Sequence, residues 1–273
     1  MKRIDLHVHT TASDGTLTPS EAVCLAKELG ISAIAVTDHD SCDGVSEALK
    51  AGEAYGIEVV PGIELSVDYR GYGIHLLGYF MDPEAPALQE LLDWVISERK
   101  RRNREMAETF CADGIDISIP ALRALFPGSV IGRPHFAAAL VQLGLAETVN
   151  DAFARYLSRG TKYYRKREYI PMEKAFAVIR SCGGKAVFAH PLQYRMREED
   201  LLCLTETLKA QGIVGMECRY HGYTPEQVAY LENLARRFDL CVTGGSDFHG
   251  SRKANKMGEP EVDYALLEQL KRR

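Results

Sequence analysis

Imidazoles and carboxylates recur in this sequence in short clusters, and nearly every cluster follows or lies within an apolar run. Ile4–Leu6 leads into His7-Val8-His9, with Asp14 close behind. Ile34–Val36 leads into Asp38-His39-Asp40. Val59-Val60 leads through Pro61-Gly62 to Glu64. His75 sits inside the run 72–77, Val187–Ala189 leads into His190-Pro191, and Val242-Thr243 leads through Gly244-Gly245 to Asp247-Phe248-His249. Six segments thus deliver His, Asp and Glu, with no thiolate among them. Such donors suit Mn²⁺, Fe²⁺ or Zn²⁺. A single His-x-His or Asp-x-His would carry little weight, but six such segments at strand ends are hard to obtain by accident.

The charges sharpen the chemistry. Asp14, Glu64 and Asp247 supply −3 when ionised, and three divalent ions supply +6, so such a site keeps roughly +3. That excess favours a bridging hydroxide and an anionic substrate. Metal-assisted hydrolysis of a phosphoester is the reaction this predicts, with the ions lowering the pKa of bound water and clamping phosphoryl oxygens.

The elements that must position these groups alternate. Strands are expected at Ile4–Val8, Ala33–Val36, Ile57–Val60, Tyr72–Tyr79, Lys185–Ala189, Ile213–Glu217 and Leu240–Thr243. Thr18-Pro19-Ser20-Glu21 carries an N-cap, a Pro at the first helical position and a capping-box Glu. Gly30 suits the left-handed residue just past that helix. Repeated strand–helix alternation predicts a parallel sheet, and in a (β/α) barrel the strand C-termini converge on the face that holds the active site. From Asp82 the pattern changes to long helical stretches, about 87–112 and 134–157. The fold class expected is therefore α/β, a barrel over 1–81 and 169–273 interrupted by a helical insertion over 82–168.

At 273 residues, one barrel plus an insertion fits the length. Hydrophobic residues are 46% and charged residues 26%, which excludes a wholly disordered chain. No apolar run approaches the roughly 18 residues of a membrane span, and the start lacks a signal-peptide core. A net charge of −5 argues against binding nucleic acid through overall charge. Seven scattered cysteines with no Cys-x-x-Cys argue for free thiols in a reducing, cytoplasmic setting.

The quoted motifs, with Ser13-Asp14-Gly15 and Ala189-His190-Pro191, resemble those of the polymerase and histidinol phosphatase (PHP) family. The resemblance covers essentially the full chain. It is nearest to stand-alone phosphoesterases with a helical insertion, which include a 3′,5′-nucleotide bisphosphatase and a 5′-to-3′ exoribonuclease. It implies a distorted (β/α)7 barrel and two or three divalent ions, Mn²⁺ first, with Fe²⁺ or Zn²⁺ as alternatives. Carried over by position, His7, His9, Glu64 and Asp247 would hold one ion. Asp14, His39 and His249 would hold a second. His75 and His190 would hold a third, with Glu64 bridging. Some members have His where Asp14 stands, so the second position's metal preference is open.

Other candidates lie around this set. Asp5, Asp38 and Asp40 could orient ligand imidazoles, and Asp38 enters as a catalytic candidate. In the insertion, Arg133 and His135 of Ile131-Gly132-Arg133-Pro134-His135 resemble a segment that contacts substrate phosphate in the bisphosphatases. Arg99 and Arg102, three apart on a helix, are further substrate-binding candidates. Lys162–Arg167 mixes aromatics with charge and reads as a polar linker or a stacking surface. His221 is a candidate general acid or phosphate donor.

The reading expected first is a phosphatase that converts a 3′,5′-bisphosphonucleoside to the 5′-monophosphate. The alternatives are a 5′-to-3′ exoribonuclease on short RNA, a histidinol-phosphatase-like enzyme, and a non-catalytic metal-binding domain. The expected partner is a small nucleotide or short RNA, and no membrane.

Overall fold

The computed structural model describes residues 2–127 and 131–273. Two compact units emerge: Met1–Leu92 with Tyr169–Arg273, and Asp93–Glu168.

In the first unit the chain runs β1 (Arg3–Val8), α1 (Pro19–Glu28), β2 (Ile31–Val36), α2 (Val45–Tyr55), β3 (Glu58–Tyr69), β4 (Tyr72–Tyr79) and into α3 (Pro86–Ala112). In the second unit α3 continues, followed by α4 (Ile119–Leu125), α5 (Arg133–Gln142), α6 (Val149–Ala152) and a π-helical turn at Phe153–Leu157. The first unit then resumes with β5 (Ile170–Pro171), α7 (Met172–Ser181), β6 (Lys185–Phe188), α8 (Glu198–Gln211), β7 (Gly215–Tyr220), α9 (Pro225–Arg237), β8 (Cys241–Gly245), β9 (Val262–Asp263) and α10 (Tyr264–Arg272).

The strands follow the order β8-β7-β6-β4-β3-β2-β1-β9, with β5 beside β3, and curl into a nearly closed mixed barrel wrapped by helices. This is the distorted (β/α) barrel that the sequence implied. Closure comes from the segment after β8: His9 N donates to Phe248 O at 2.9 Å and Phe248 N to His7 O at 3.3 Å. The ends of β1 and β8 are thereby locked together where the site residues stand.

Local signals explain the elements. Thr18 and Glu21 form a reciprocal capping box that starts α1. Gly30 follows the helix at φ +68°, a conformation that costs glycine little. β1 and β2 are buried on both faces. Ile4, Leu6, Ala33 and Ala35 pack into one cluster with Leu267 and Leu270 of α10. Val8, Ile34 and Val36 pack into another with Ala22 and Val23 of α1 and Ala48 of α2.

The sheet is not all parallel. β4 runs antiparallel to both β3 and β6, because β3 turns straight into β4 through Arg70-Gly71 with no crossover helix. β3 is also longer than expected. It continues through Pro61-Gly62, so Glu64 stands mid-strand rather than on a strand-end loop. Pro61 is tolerated because its backbone faces the β4 side just past the last ladder pair, Gly62 with Tyr79, where only its carbonyl is used, accepting from Phe80 N at 2.8 Å.

The second unit has its own core of Met106, Phe110, Leu122, Phe136, Leu140 and Leu157. The helical stretch expected over 134–157 is broken at Gly144, where φ is +70°. The first turns of α3 belong to the first unit, so the division falls at Leu92/Asp93 rather than at residue 82.

Candidate metal centre

Glu64 is the hub. From mid-β3 its buried carboxylate meets five imidazoles. Oε1 lies 2.8 Å from His75 Nδ1 and 2.9 Å from His190 Nε2. Oε2 lies 2.9 Å from His39 Nδ1, 3.2 Å from His9 Nε2 and 3.4 Å from His7 Nε2. Asp247 completes the deep side, with Oδ1 at 3.1 Å from His9 Nε2 and 3.5 Å from His7 Nε2. Asp14, whose side chain is 44% exposed, lies at the mouth, 3.3 Å from His249 Nε2 and 3.7 Å from His9 Nδ1.

Three groups of donors therefore converge: His7, His9, Glu64 and Asp247; His9, Asp14, His39 and His249; and His39, Glu64 and His75. The first matches the expected set. The second adds His9 to the expected three. In the third, His39 stands with Glu64 and His75, while His190 approaches Glu64 Oε1 and lies 3.3 Å from His75 Nδ1. All nine expected ligands are thus brought to one pocket.

Hydrogen bonds cannot account for this arrangement. Among the described residues, nine buried side-chain polar atoms lack a hydrogen-bond partner, and seven of them are here: His7 Nε2, both nitrogens of His9, His39 Nδ1, Glu64 Oε2, His190 Nδ1 and His249 Nε2. Buried polar atoms are rarely left without partners, so such a concentration requires something that the side chains do not supply to one another. Donors about 2.1 Å from a shared cation lie roughly 3.0–3.4 Å apart, and the separations here, 2.8–3.7 Å, bracket that range. Two rings are also fixed in the right tautomer. His249 Nδ1 faces the Asp247 carbonyl at 2.8 Å, which can only accept, so Nε2 keeps its lone pair towards Asp14. His7 Nδ1 faces Glu217 Oε1 at 2.9 Å, leaving Nε2 for the centre. A di- or trinuclear divalent metal site fits this donor set.

Without cations, the electrostatics are tense. Burial opposes charge on His9, but the Asp247 and Glu64 carboxylates beside its ring outweigh it and push the imidazole up to about 9. Burial likewise opposes charge on His7, yet Glu217, Glu64 and Asp247 hold it well above its usual value. Burial would raise Glu64, but His39, His75, His7 and His190 keep it well below the usual carboxylate range. His75 and His249 go down, chiefly through burial. Backbone strain accompanies the site: Asp40, His190 and Asp247 all have positive φ, at 48°, 29° and 53°.

The surrounding acids accept from backbone and hydroxyl groups. Asp38 accepts from Thr10 N and Thr10 Oγ1, both at 2.7 Å, and from Ser13 Oγ at 2.6 Å. It braces the loop that carries Asp14 rather than holding a ring. Asp5 accepts from the backbone N–H groups of His7, Ser246 and Gly258, and from Ser246 Oγ. It ties β1 to the segment after β8. Asp40 accepts from Ser66 N and Oγ. Glu217, which the sequence reading passed over, is fully buried and also accepts from His190 N at 2.8 Å. Its one sequence signal is a carboxylate inside the otherwise uncharged run 213–218. Tyr220 and Lys253 both donate to Asp247 Oδ2, at 2.7 and 2.8 Å.

His221 is half-buried in the turn after β7 and is not one of the converging donors. The remaining candidates lie in the second unit. Arg133 opens α5, with its guanidinium 5.9 Å from the Phe153 ring. His135 Nδ1 accepts from Gly132 N, and its ring meets Phe126 edge-on. Arg102 is buried and donates to Asn103 Oδ1, while Asn103 donates to Ile131 O. Arg99 lies on α3. Within the basic cluster, Tyr163 stacks on Phe110 at 3.9 Å and donates to Asp113, and Lys162 pairs with Asp113. Those two side chains staple their own unit.

The PHP domain model matches residues 5–167. A 5′-3′ exoribonuclease of Haemophilus influenzae is 38% identical over 248 residues, covering 91% of this chain and 90% of the relative. A 3′,5′-nucleoside bisphosphate phosphatase of Chromobacterium violaceum is 34% identical over 250 residues, covering 91% and 88%. A Bifidobacterium adolescentis structure, named provisionally as a metal-dependent phosphoesterase, superposes with a TM-score of 0.84 at 33% identity, covering 98% of this chain and 95% of that one. Among the described residues no helix is long and apolar enough to cross a membrane.

Proposed function

Because the chain belongs to the PHP-domain family of metal-dependent phosphoesterases, we propose that it removes 5′-mononucleotides from short RNA in the 5′-to-3′ direction. The observation that carries the chemistry is the convergence of buried, unpartnered imidazole and carboxylate atoms around Glu64. The relative of higher identity among those compared, the exoribonuclease, supports the substrate.

His7, His9, Glu64 and Asp247 would hold one divalent ion, and Asp14, His39 and His249 a second. Glu64, His75 and His190 would hold a third. Manganese is the first choice, with iron or zinc as alternatives. When bound, such ions lower the pKa of water and neutralise phosphoryl oxygens. The chain's own groups do the rest. His249 is held in its tautomer by the Asp247 carbonyl. Asp38 fixes the loop of Asp14. Asp5 locks the ends of β1 and β8 so that the donors stay in register. His221, at the end of β7, would protonate the departing 3′-oxygen.

A second reading, the bisphosphatase, rests on the Chromobacterium violaceum relative. The two reactions break the same bond. In each, the 3′-oxygen of a 5′-phosphorylated nucleoside leaves a phosphorus atom, which bears either the next nucleotide or only oxygens. One experiment separates them. Mn²⁺-loaded protein is given a 5′-phosphorylated, 3′-labelled RNA of a few nucleotides and, separately, a 3′,5′-bisphosphonucleoside. Stepwise shortening of the label with release of 5′-mononucleotides is expected. Phosphate release from the bisphosphate with intact RNA would replace the first reading with the second.

A further inference from the structure

We propose that Glu217 is a positioning residue that ties two of the metal positions together, an inference that rests on the metal-centre reading above. Glu217 stands on β7 opposite Thr243 of β8, with no exposure to solvent. A buried carboxylate is costly unless it is hydrogen-bonded, and this one uses its two oxygens on two different strand ends. Oε1 takes His7 Nδ1 at 2.9 Å, and Oε2 takes the backbone N–H of His190 at 2.8 Å.

Each contact has a separate consequence. With Glu217 Oε1 as the acceptor, His7 carries its proton on Nδ1 and presents Nε2 to Glu64 and Asp247. The second contact pins the peptide of His190, whose φ of 29° and ψ of 61° lie outside the common regions. From that pinned backbone His190 Nε2 reaches Glu64 Oε1 at 2.9 Å. The His7 and His190 rings lie nearly parallel, 5.7 Å apart and 18° from coplanar. One carboxylate thus sets the donor atom of the His7 position and the backbone of the His190 position. Asp14 and His39 lie outside its hydrogen bonds.

Glutamine matches the shape but not the polarity. With its NH₂ towards His190, two donors face one another. With its NH₂ towards His7, the ring must take the other tautomer, and the proton lands on the ligand atom. Glu217→Gln should therefore weaken ion binding at the His7 and His190 positions by roughly 10- to 100-fold, and spare the position built on Asp14, His39 and His249.

The test titrates chelator-stripped, full-length parent and Glu217→Gln with Zn²⁺ by calorimetry, with circular dichroism to confirm the fold. A ¹⁵N-histidine spectrum of the Zn²⁺-loaded parent reads the tautomer directly and does not depend on the variant folding. The proposal expects two or three ions in the parent, at least tenfold weaker binding of some of them in the variant, and the His7 proton on Nδ1. A folded variant that matches the parent in number and affinity would overturn it, as would a His7 proton on Nε2. A parent that binds no Zn²⁺ would overturn the metal-centre reading, and this inference with it.

Discussion

Stripping the metal should turn the imidazole cluster into a pH-dependent weak point. In the ion-free protein the Asp247 and Glu64 carboxylates push His9 up to about 9, against 6.5 for an unperturbed histidine. A group whose folded pKa is raised stabilises the fold fully below its unfolded value and loses that contribution as pH climbs through the folded value. Each pKa unit is worth 1.36 kcal/mol, so His9 alone accounts for about 3 kcal/mol lost between pH 6.5 and 9. His7 is raised too and acts in the same direction. His75 and His249 are lowered, so their contribution is complete above pH 6.5 and falls only on acidification below it. At roughly 2–4 °C per kcal/mol for a chain of this size, the Tm of EDTA-treated protein should fall by roughly 6–12 °C over that interval. The Mn²⁺-loaded protein, whose ligand nitrogens carry no proton to lose, should stay level. The assay is urea and thermal unfolding at half-unit pH steps, repeated with His9→Gln to remove the His9 share. Ion-free parent protein that is equally or more stable at pH 9 than at pH 6.5 would show that His9 is not held protonated by these carboxylates.

Other outcomes follow from single contacts. Glu64→Gln removes a donor common to two ligand groups and should cost at least about 10²-fold in phosphate release, since even partners of ligands are worth 10–100-fold; metal analysis should show fewer ions per chain. Gly245→Ala places a Cβ in overlap with His7 Cβ and 2.6 Å from its backbone nitrogen, so it should destabilise by about 1–3 kcal/mol and lower metal content, read by denaturation and elemental analysis. Tyr79→Phe removes the buried phenol that donates to Leu6 O at 2.7 Å; it should cost about 1 kcal/mol in urea unfolding and leave the metal content unchanged.

Much of the site was legible because its chemistry depends on residue type and on strand ends. His7-x-His9, Asp38-His39 and Asp247-x-His249 all follow apolar runs that form strands, and parallel strands deliver their C-terminal residues to one face. Thr18 with Glu21, and Gly30, marked α1 because capping is a local interaction. Strand direction was less legible. The tight turn at Arg70-Gly71 makes β4 antiparallel, and whether two apolar runs join by a hairpin or a crossover depends on tertiary pairing. Pro61-Gly62 read as a break, yet β3 runs through it because Pro61 falls at the end of the β4 ladder, where its missing N–H is not called for. The roles of Asp5, Asp38 and Glu217 were hidden for a related reason. Each acts on partners far away in sequence, such as Ser246 for Asp5 and His7 for Glu217, and no local pattern distinguishes a ligand from its brace.

These side chains meet in order to hold cations. Crystals of the protein grown with Mn²⁺ and measured at the manganese absorption edge test it most directly. Anomalous peaks are expected within ligand distance of His7, His9, Glu64 and Asp247, and of Asp14, His39 and His249. Well-ordered crystals with no anomalous peak in that pocket, or with peaks only elsewhere, would contradict it.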